Sequence, residues 1–380
     1  MKIGVNLSFI IDQVDFGIGS YIANILRGFQ ELNRLDSYYL IVRRSFYPRA
    51  KTLYPDANFI ILKENKWMYR CGRFQNFLIS HDCDMIQIPK ITRQENLDLM
   101  FYPFHAVTNN MNLKIPIVMT VHDLFHCNYP ENLSRKYLAY VKVRYRSLMH
   151  HSDRMITISD FVKSDVLKYF PKVDPQHIHR IYNSIIFDTN KITPMAIDEP
   201  FILCVNSMRI HKNNITLIKA FHRIKAQIPH KLILVGGWGE ASQEIQDFIR
   251  ANQLESRVEV WSSLSEGERN FLYRDAALFV SPSLHEGFGM TPIEAMLAKT
   301  SVITTKETSL YEVTQGLAHY YEPAKNDRQL AKKILQVLEQ KESKDLLSKK
   351  AKQVAKSYHY LTIAKEYDRF LKGVLDENRH

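Results

Sequence analysis

Two carboxylates eight positions apart, Glu286 and Glu294, bracket a pair of glycines in the segment SPSLHEGFGMTPIEA at 281–295. Gly287 and Gly289 have no side chain to hold the backbone away from a ligand. The segment follows an apolar run at 277–280 and leads into a helical pattern. The order predicts a strand, a glycine corner and a helix N-terminus. Thr291 and Pro292 suit the N-cap and the first helical position. The free N–H groups near Met290 and Thr291 would then face a cleft, where a helix N-terminus favours a diphosphate. Carboxylates on either side can grip hydroxyls through charge-assisted hydrogen bonds. A structural reading competes: Thr291-Pro-Ile-Glu294 also has the spacing of a capping box, with Glu294 reaching back to the Thr291 N–H.

Cations stand at a second strand end, in MRIHKN at 208–213. Arg209 offers a planar fork and Lys212 a point charge, and both suit an anionic group such as a phosphate. The bland alternative is a solvated turn before a helix capped by Asn213 or Asn214. In the first half, Gly17-Ile-Gly19-Ser-Tyr21 follows the opening strand, and His122-Asp123 closes another. The glycine pair is not a full dinucleotide fingerprint, because Ile22 occupies the third glycine position. It also reads as a tight turn, and His122-Asp123 as a hydrogen-bonded strand end. Gly236-Gly-Trp-Gly239 after LILV is likewise glycine-rich and reads as a strand-to-helix loop.

These segments need rigid elements to hold them. Short apolar runs alternate with amphipathic stretches along the chain. The first half offers KIGVNLSF, YYLIVR, NFIIL, DMIQI, IPIVMTV, RMITI and HIHRIYN as strands, with helical patterns at 20–32, 133–149 and 160–169. The second half offers FILCVNS, KLILVGG, RVEVW, ALFVSPS, TSVITT and LAHYYEP, with helices near 213–227, 242–252, 266–274, 292–297 and 327–340. Alternation of this kind implies parallel sheets covered on both faces. The polar stretch 187–200, with two prolines and no periodicity, reads as a linker. The expected organisation is α/β: a first Rossmann-like domain at 1–186, the linker, a second at 201–357, and a closing helical segment at 358–380. Tandem open sheets place a ligand in a central cleft at the carboxyl ends of their strands.

Composition narrows the class. The 380 residues are 45% hydrophobic and 24% charged, as in an ordinary globular enzyme. Cys71, Cys83, Cys127 and Cys204 form no CxxC pair and read as free thiols of a reducing cytosol. The N-terminus reads as a strand rather than a signal peptide, and no run nears the ~18 apolar residues of a membrane span. The net charge of +11 is uneven: residues 1–185 hold 24 Lys/Arg against 16 Asp/Glu, the remainder 27 against 24. That bias favours an anionic partner for the first half. Segment 66–78 (KWMYRCGRFQNFL) mixes aromatics and cations without an acid, and 135–146 carries five Lys/Arg and no acid. Both are candidates for an anionic membrane surface; the alternative for 66–78 is a helix with its aromatics in the core.

HEGFGMTPIEA resembles the E-x7-E signature of the family-four glycosyltransferases of GT-B fold. The likeness continues through GIGSY at 17–21, VHDL at 121–124 with YPE at 129–131, DRMITISDF at 153–161, IYN at 181–183, MRIHKN at 208–213 and SLYEV at 309–313. The resemblance implies that Glu286 bonds hydroxyls of a transferred sugar and that Glu294 holds the ribose. It implies that the backbone of Gly287, Phe288, Gly289, Met290 and Thr291 lines sugar and diphosphate. Arg209 and Lys212 would neutralise the diphosphate, Gly17 and Gly19 would let the first domain close on it, and His122 would sit near the anomeric centre. The run Arg209-Ile-His211-Lys212 departs from many relatives, which leaves the second phosphate contact open between Arg209 and His211.

The resemblance further implies a retaining, metal-independent hexosyltransferase with no bound cofactor. It would take a GDP-, dTDP- or UDP-linked sugar and a saccharide or polyprenyl-diphosphate-linked acceptor, with front-face attack and the leaving phosphate accepting the acceptor's proton. SLHEGFG and TSLYEV lean toward mannosyl- or rhamnosyltransferases. The implied setting is surface polysaccharide or glycolipid assembly, cytoplasmic or peripheral on the inner membrane face, without nucleic acid. The final helix would cross back to brace the first domain. Two rivals remain: a nicotinamide-dependent oxidoreductase, which needs GxGxxG with an acid about 20 residues on, and a basic nucleic-acid-binding protein, which needs aromatics interleaved on a basic face.

Overall fold

A computed structural model of the protein describes residues 1–10, 17–63, 82–104, 113–132, 134–262 and 264–377. The segment 66–78 therefore lies outside the described residues. The strands are β1 (Ile3–Asn6), β2 (Tyr38–Arg43), β3 (Asn58–Leu62), β4 (Leu99–Tyr102), β5 (Ile117–Val121), β6 (Arg154–Thr157), β7 (Ile178–Arg180), β8 (Phe201–Val205), β9 (Lys231–Val235), β10 (Val258–Trp261), β11 (Leu278–Ser281), β12 (Val302–Thr305) and β13 (His319–Tyr321). The longer α-helices are α1 (Ile18–Glu31), α2 (Tyr47–Leu53), α3 (Ile88–Gln94), α4 (Arg135–His151), α5 (Asp160–Tyr169), α6 (Asn214–Ile224), α7 (Ser242–Ala251), α8 (Glu266–Asp275), α9 (Met290–Leu297), α10 (Asp327–Glu339), α11 (Lys344–Ser357) and α12 (Tyr360–Glu377). They form two compact units, 1–184 with 359–380, and 185–358.

The first unit holds a parallel sheet in the order β3-β2-β1-β4-β5-β6-β7. β1, β4 and β5 are buried along their full lengths, so they read as continuous apolar runs rather than alternating ones. α1 buries Tyr21, Ile22, Ile25, Leu26 and Phe29, the recurrence of a helix with one apolar face. α12 answers it with Ile363, Ala364, Tyr367, Leu371 and Val374. Gly28 permits the close approach of the two helices: a Cβ there would lie 2.4 Å from Ala364 Cβ. The Tyr21 hydroxyl shares hydrogen bonds with Thr120 Oγ1 and Tyr367 Oη, each at 2.8 Å, and so ties α1, β5 and α12 together.

One expected strand is not a strand. DMIQI at 84–88 falls in a helical stretch, Asp82–Gln87, that runs into α3. A short apolar run does not distinguish a strand from a helix, and here Ile86 is exposed, which a strand buried on both faces would not allow. The strand that fills the sheet instead is β4, LMFY, a four-residue run in the middle of the order.

The second unit repeats the design as β10-β9-β8-β11-β12-β13, all parallel. Its core joins Ile202 and Cys204 of β8, Leu232 and Leu234 of β9 and Val280 of β11 to Leu217, Phe221 and Ile224 of α6 and to Leu330 and Ile334 of α10. The polar stretch after residue 185 belongs to this unit. Asn270 of α8 donates to the carbonyls of Asp188 and Lys191, both at 3.1 Å, and the Thr193 N–H donates to Gly267 O at 3.1 Å. Among the described residues no helix is long and apolar enough to cross a membrane.

Candidate functional site

In each sheet the strand order reverses once, between β1 and β4 and between β8 and β11. The loops that leave two such neighbouring strands diverge, and the crevice they open is where open α/β sheets bind ligands. In the second unit these are the loops that carry Lys212 and Glu286.

The loop after β8 ends in a tight turn, Ile210–Lys212, closed by Asn213 in the left-handed region at φ +56°. Asparagine tolerates that conformation better than most residues. The buried Asn213 amide donates to Pro282 O at 3.0 Å and to Ala324 O at 2.9 Å, while its oxygen accepts from Thr216 Oγ1 at 2.7 Å. The Leu284 N–H donates to His211 O at 2.8 Å. These bonds tie the two loops and bring Lys212 Nζ to 2.7 Å from Glu286 Oε1. The side chains are 20% and 12% exposed. Burial alone would raise the Glu286 pKa. The Lys212 charge and hydrogen bond, with Ser283 and His211, outweigh it and hold the carboxyl below the usual carboxylate range.

The glycine corner forms as expected, but the helix begins earlier. Gly289, at φ +87°, is the residue before α9, and no side chain caps that end. Thr291 and Pro292 are the second and third residues of α9, not its N-cap and first position. A left-handed glycine swings the chain straight into the helix, and a proline in the first turn lacks only an N–H that has no helical partner there. A Cβ at Gly289 would lie 2.3 Å from Leu310 Cδ2. The capping box is absent as well: Glu294 Oε2 accepts a hydrogen bond from Tyr273 Oη at 2.7 Å. Burial first, and the neighbouring Glu294 second, hold the Tyr273 phenol protonated. One hydroxyl supports the corner from outside, since Ser309 Oγ lies 2.9 Å from Glu286 O and 3.0 Å from Phe288 O. The Phe288 ring is buried edge-on against Tyr358, so only its backbone is available to a ligand. Gly287, Met290 and Thr291 are half-buried, and Arg209 is exposed at the start of the Ile210–Lys212 turn.

In the first unit, Gly17 stands before α1 at φ +58°, with open space where a Cβ would be, and Gly19 is the second residue of the helix. Tyr21, one turn in, packs its ring edge-to-face with His122, centroids 4.6 Å apart. His122 follows β5 and is buried, with Nε2 2.7 Å from Pro103 O. The carbonyl can only accept, so Nε2 carries the proton. Burial lowers the His122 pKa, partly offset by that bond and by Asp123. Asp123 accepts from the Phe125 N–H at 3.1 Å, fixing the turn after the strand.

The structure thus unites Lys212, Glu286 and the 287–291 backbone in the second unit, with Glu294 one turn further along α9. It unites Gly17, Gly19 and His122 through Tyr21 in the first. The supporting residues Tyr21 and Ser309 lie inside the GIGSY and SLYEV segments. Asn213 closes the MRIHKN segment, but its bonds to Pro282 and Ala324, like that of Tyr273 to Glu294, join residues distant in sequence and leave no local signal.

Two family models match the chain: Glycosyltransferase Family 4 over residues 17–188 and Glycosyl transferases group 1 over residues 188–354. The O-antigen chain mannosyltransferase RfbU of Salmonella typhimurium is 29% identical over 205 residues, covering 54% of this chain and 56% of its own. The O-antigen chain mannosyltransferase B of Escherichia coli is 22% identical over 258 residues, covering 64% and 66%. The chain spans about half to two thirds of the length of these curated relatives. Among solved structures, Anabaena HepE in complex with UDP and glucose superposes with a TM-score of 0.73 at 16% identity, covering 98% of this chain and 99% of that one. The sucrose-phosphate synthase of Thermosynechococcus elongatus superposes at 0.74 with 16% identity, covering 99% of each chain. At these identities the likeness is one of fold.

Proposed function

Because the chain belongs to the family-four glycosyltransferases of GT-B fold, with the two family models together spanning residues 17–354, we propose that it transfers a hexose from a GDP-, dTDP- or UDP-linked donor to a saccharide or polyprenyl-diphosphate-linked acceptor. The observation that carries this reading is the Lys212–Glu286 pair at the switch point of the second sheet, next to the glycine corner. A cation and backbone N–H groups there suit the diphosphate, whose charge grows as the glycosyl bond breaks. Glu286 grips hydroxyls of the sugar and Glu294 those of the ribose. Lys212 and Arg209 stabilise the leaving diphosphate. The transfer retains configuration and uses no metal. The leaving phosphate takes the acceptor's proton, so no protein carboxylate serves as nucleophile. His122, neutral and with its proton on Nε2, attends the transferred sugar.

The first unit holds the acceptor. Its basic excess and the acid-free helix α4 favour a lipid-linked, anionic acceptor at the inner face of a membrane. Two relatives are named as mannosyltransferases, which supports mannose as the first sugar to try.

The experiment is a thermal-shift and calorimetry screen against UDP, GDP, dTDP, ADP and NAD, with Lys212→Ala as control. A ligand at 100 times its Kd adds about 2.7 kcal/mol of stability. Binding of one nucleoside diphosphate, lost in the variant, supports the reading and names the base. Binding of NAD alone, or of none of the five, overturns it. Product analysis by NMR, with and without a chelator, then tests retention and metal independence.

A further inference from the structure

We infer that Trp238 is the platform on which the donor's nucleobase stacks; this rests on the glycosyltransferase reading above. The residue stands on the loop after β9, 57% exposed. Its backbone is nonetheless held. Met208 N donates to Gly237 O and Ala241 N to Met208 O, both at 2.9 Å, and Gly239 N donates to Ser242 Oγ at 2.8 Å. The flanking glycines let the loop press against the cation loop: a Cβ at Gly236 would lie 2.2 Å from Asn206 O, and one at Gly239 would lie 2.5 Å from Met208 O and 3.1 Å from Arg209 Cγ. A large apolar ring is thus presented to solvent on a fixed frame beside Arg209.

Exposed apolar side chains in this unit are not scattered. Of the four large ones among the described residues, Ile210, Trp238 and Tyr311 stand in the segments that follow β8, β9 and β12, Tyr311 in the short helix Leu310–Val313, and only Leu346 lies elsewhere. Tyr311 has the Lys306 ammonium over its ring at 5.8 Å. Trp238 makes no ring or cation contact among the described residues. Its indole is the large face at the site left for a ligand.

The strand order says which part of the donor arrives there. Glu286 follows β11, Arg209 and Lys212 follow β8, and Trp238 follows β9, and these three strands are consecutive in the sheet. With the sugar at Glu286 and the diphosphate at the cations, the nucleoside continues onto β9. Two strand spacings amount to roughly 10 Å, the reach of a diphosphate and ribose. A flat heterocycle then falls on the indole, and loss of base-on-aromatic stacking weakens affinity by a factor of roughly 5 to 150.

The test titrates wild type, Trp238→Ala and Trp238→Phe with the nucleoside diphosphate found in the screen, with inorganic pyrophosphate and with the acceptor saccharide, following calorimetry and tryptophan fluorescence. The expected result is a nucleotide affinity roughly 5- to 150-fold weaker in Trp238→Ala and kept by Trp238→Phe. Pyrophosphate affinity should not change, and nucleotide should quench wild-type fluorescence by an amount missing in Trp238→Phe. Nucleotide affinity within about twofold of wild type in Trp238→Ala overturns the inference, and a loss confined to the saccharide assigns the ring to the acceptor instead. Wild type that binds no nucleotide at all sinks the glycosyltransferase reading itself, which is a separate outcome.

Discussion

Lys212 Nζ lies 2.7 Å from Glu286 Oε1 although 74 residues separate the two. Neither side chain is well solvated, so removing one partner strands the other. A fully buried pair broken this way costs about 3–5 kcal/mol, and partial exposure reduces that to roughly 1–3 kcal/mol. Lys212→Met should therefore lower stability by that amount, and adding Glu286→Gln should restore part of it in a double-mutant cycle. The pH dependence has a fixed sign. A carboxyl held below its usual range stabilises fully above that range and loses the contribution as pH falls through its folded value. Denaturant unfolding should show the Lys212→Met cost at neutral pH and little of it in acid. Equal cost at both would mean the pair is not ionic.

Gly289→Ala meets two obstacles. An L-residue at φ +87° is strained, and the added methyl meets Leu310 Cδ2. The strain alone amounts to about 1–3 kcal/mol. Thermal unfolding should show a loss at least that large, with turnover reduced further because the corner moves. Leu310→Ala in the same chain removes the clash but not the strain, so rescue should be partial. Full rescue would show that the left-handed backbone is dispensable.

His122 should stay neutral below the pH at which an ordinary histidine charges. Its pKa is lowered by burial, so the unfolded chain binds the extra proton first. The resulting penalty builds as pH falls below about 6.5 and levels off beneath the folded value. NMR titration of the His122 ring should show no midpoint near 6.5. His122→Gln, which keeps a donor for Pro103 O, should flatten the acid slope of stability relative to wild type.

The α4 helix has exposed Tyr137, Tyr140 and Val143 among five cations and no acid over 135–146. Each Lys or Arg near an anionic bilayer adds about 1 kcal/mol of attraction, screened by salt. Flotation with anionic vesicles should bring the protein up at low salt and release it at ~0.5 M, and Lys142→Glu with Arg146→Glu should weaken binding steeply. No flotation at low salt would remove the membrane from the picture.

Residue type and local spacing are enough to give the α/β class of the fold and most of its elements. The alternation of runs such as FILCV and LFVS with amphipathic segments points to parallel sheets covered on both faces, and the glycines at 287 and 289 point to a corner. These signals are local, carried by residue type and spacing of a few positions. Features that depend on distant partners emerge only in the folded chain. DMIQI and LMFY are both short apolar runs, and only the sheet selects the second. Thr291 and Glu294 have the spacing of a capping box, yet Glu294 bonds Tyr273, 21 residues away, and the left-handed Gly289 starts the helix early. Lys212 and Glu286 meet because β8 and β11 are neighbours despite the two strands between them in the chain. Pairing across a sheet is set by packing the whole core, which no local window of sequence records.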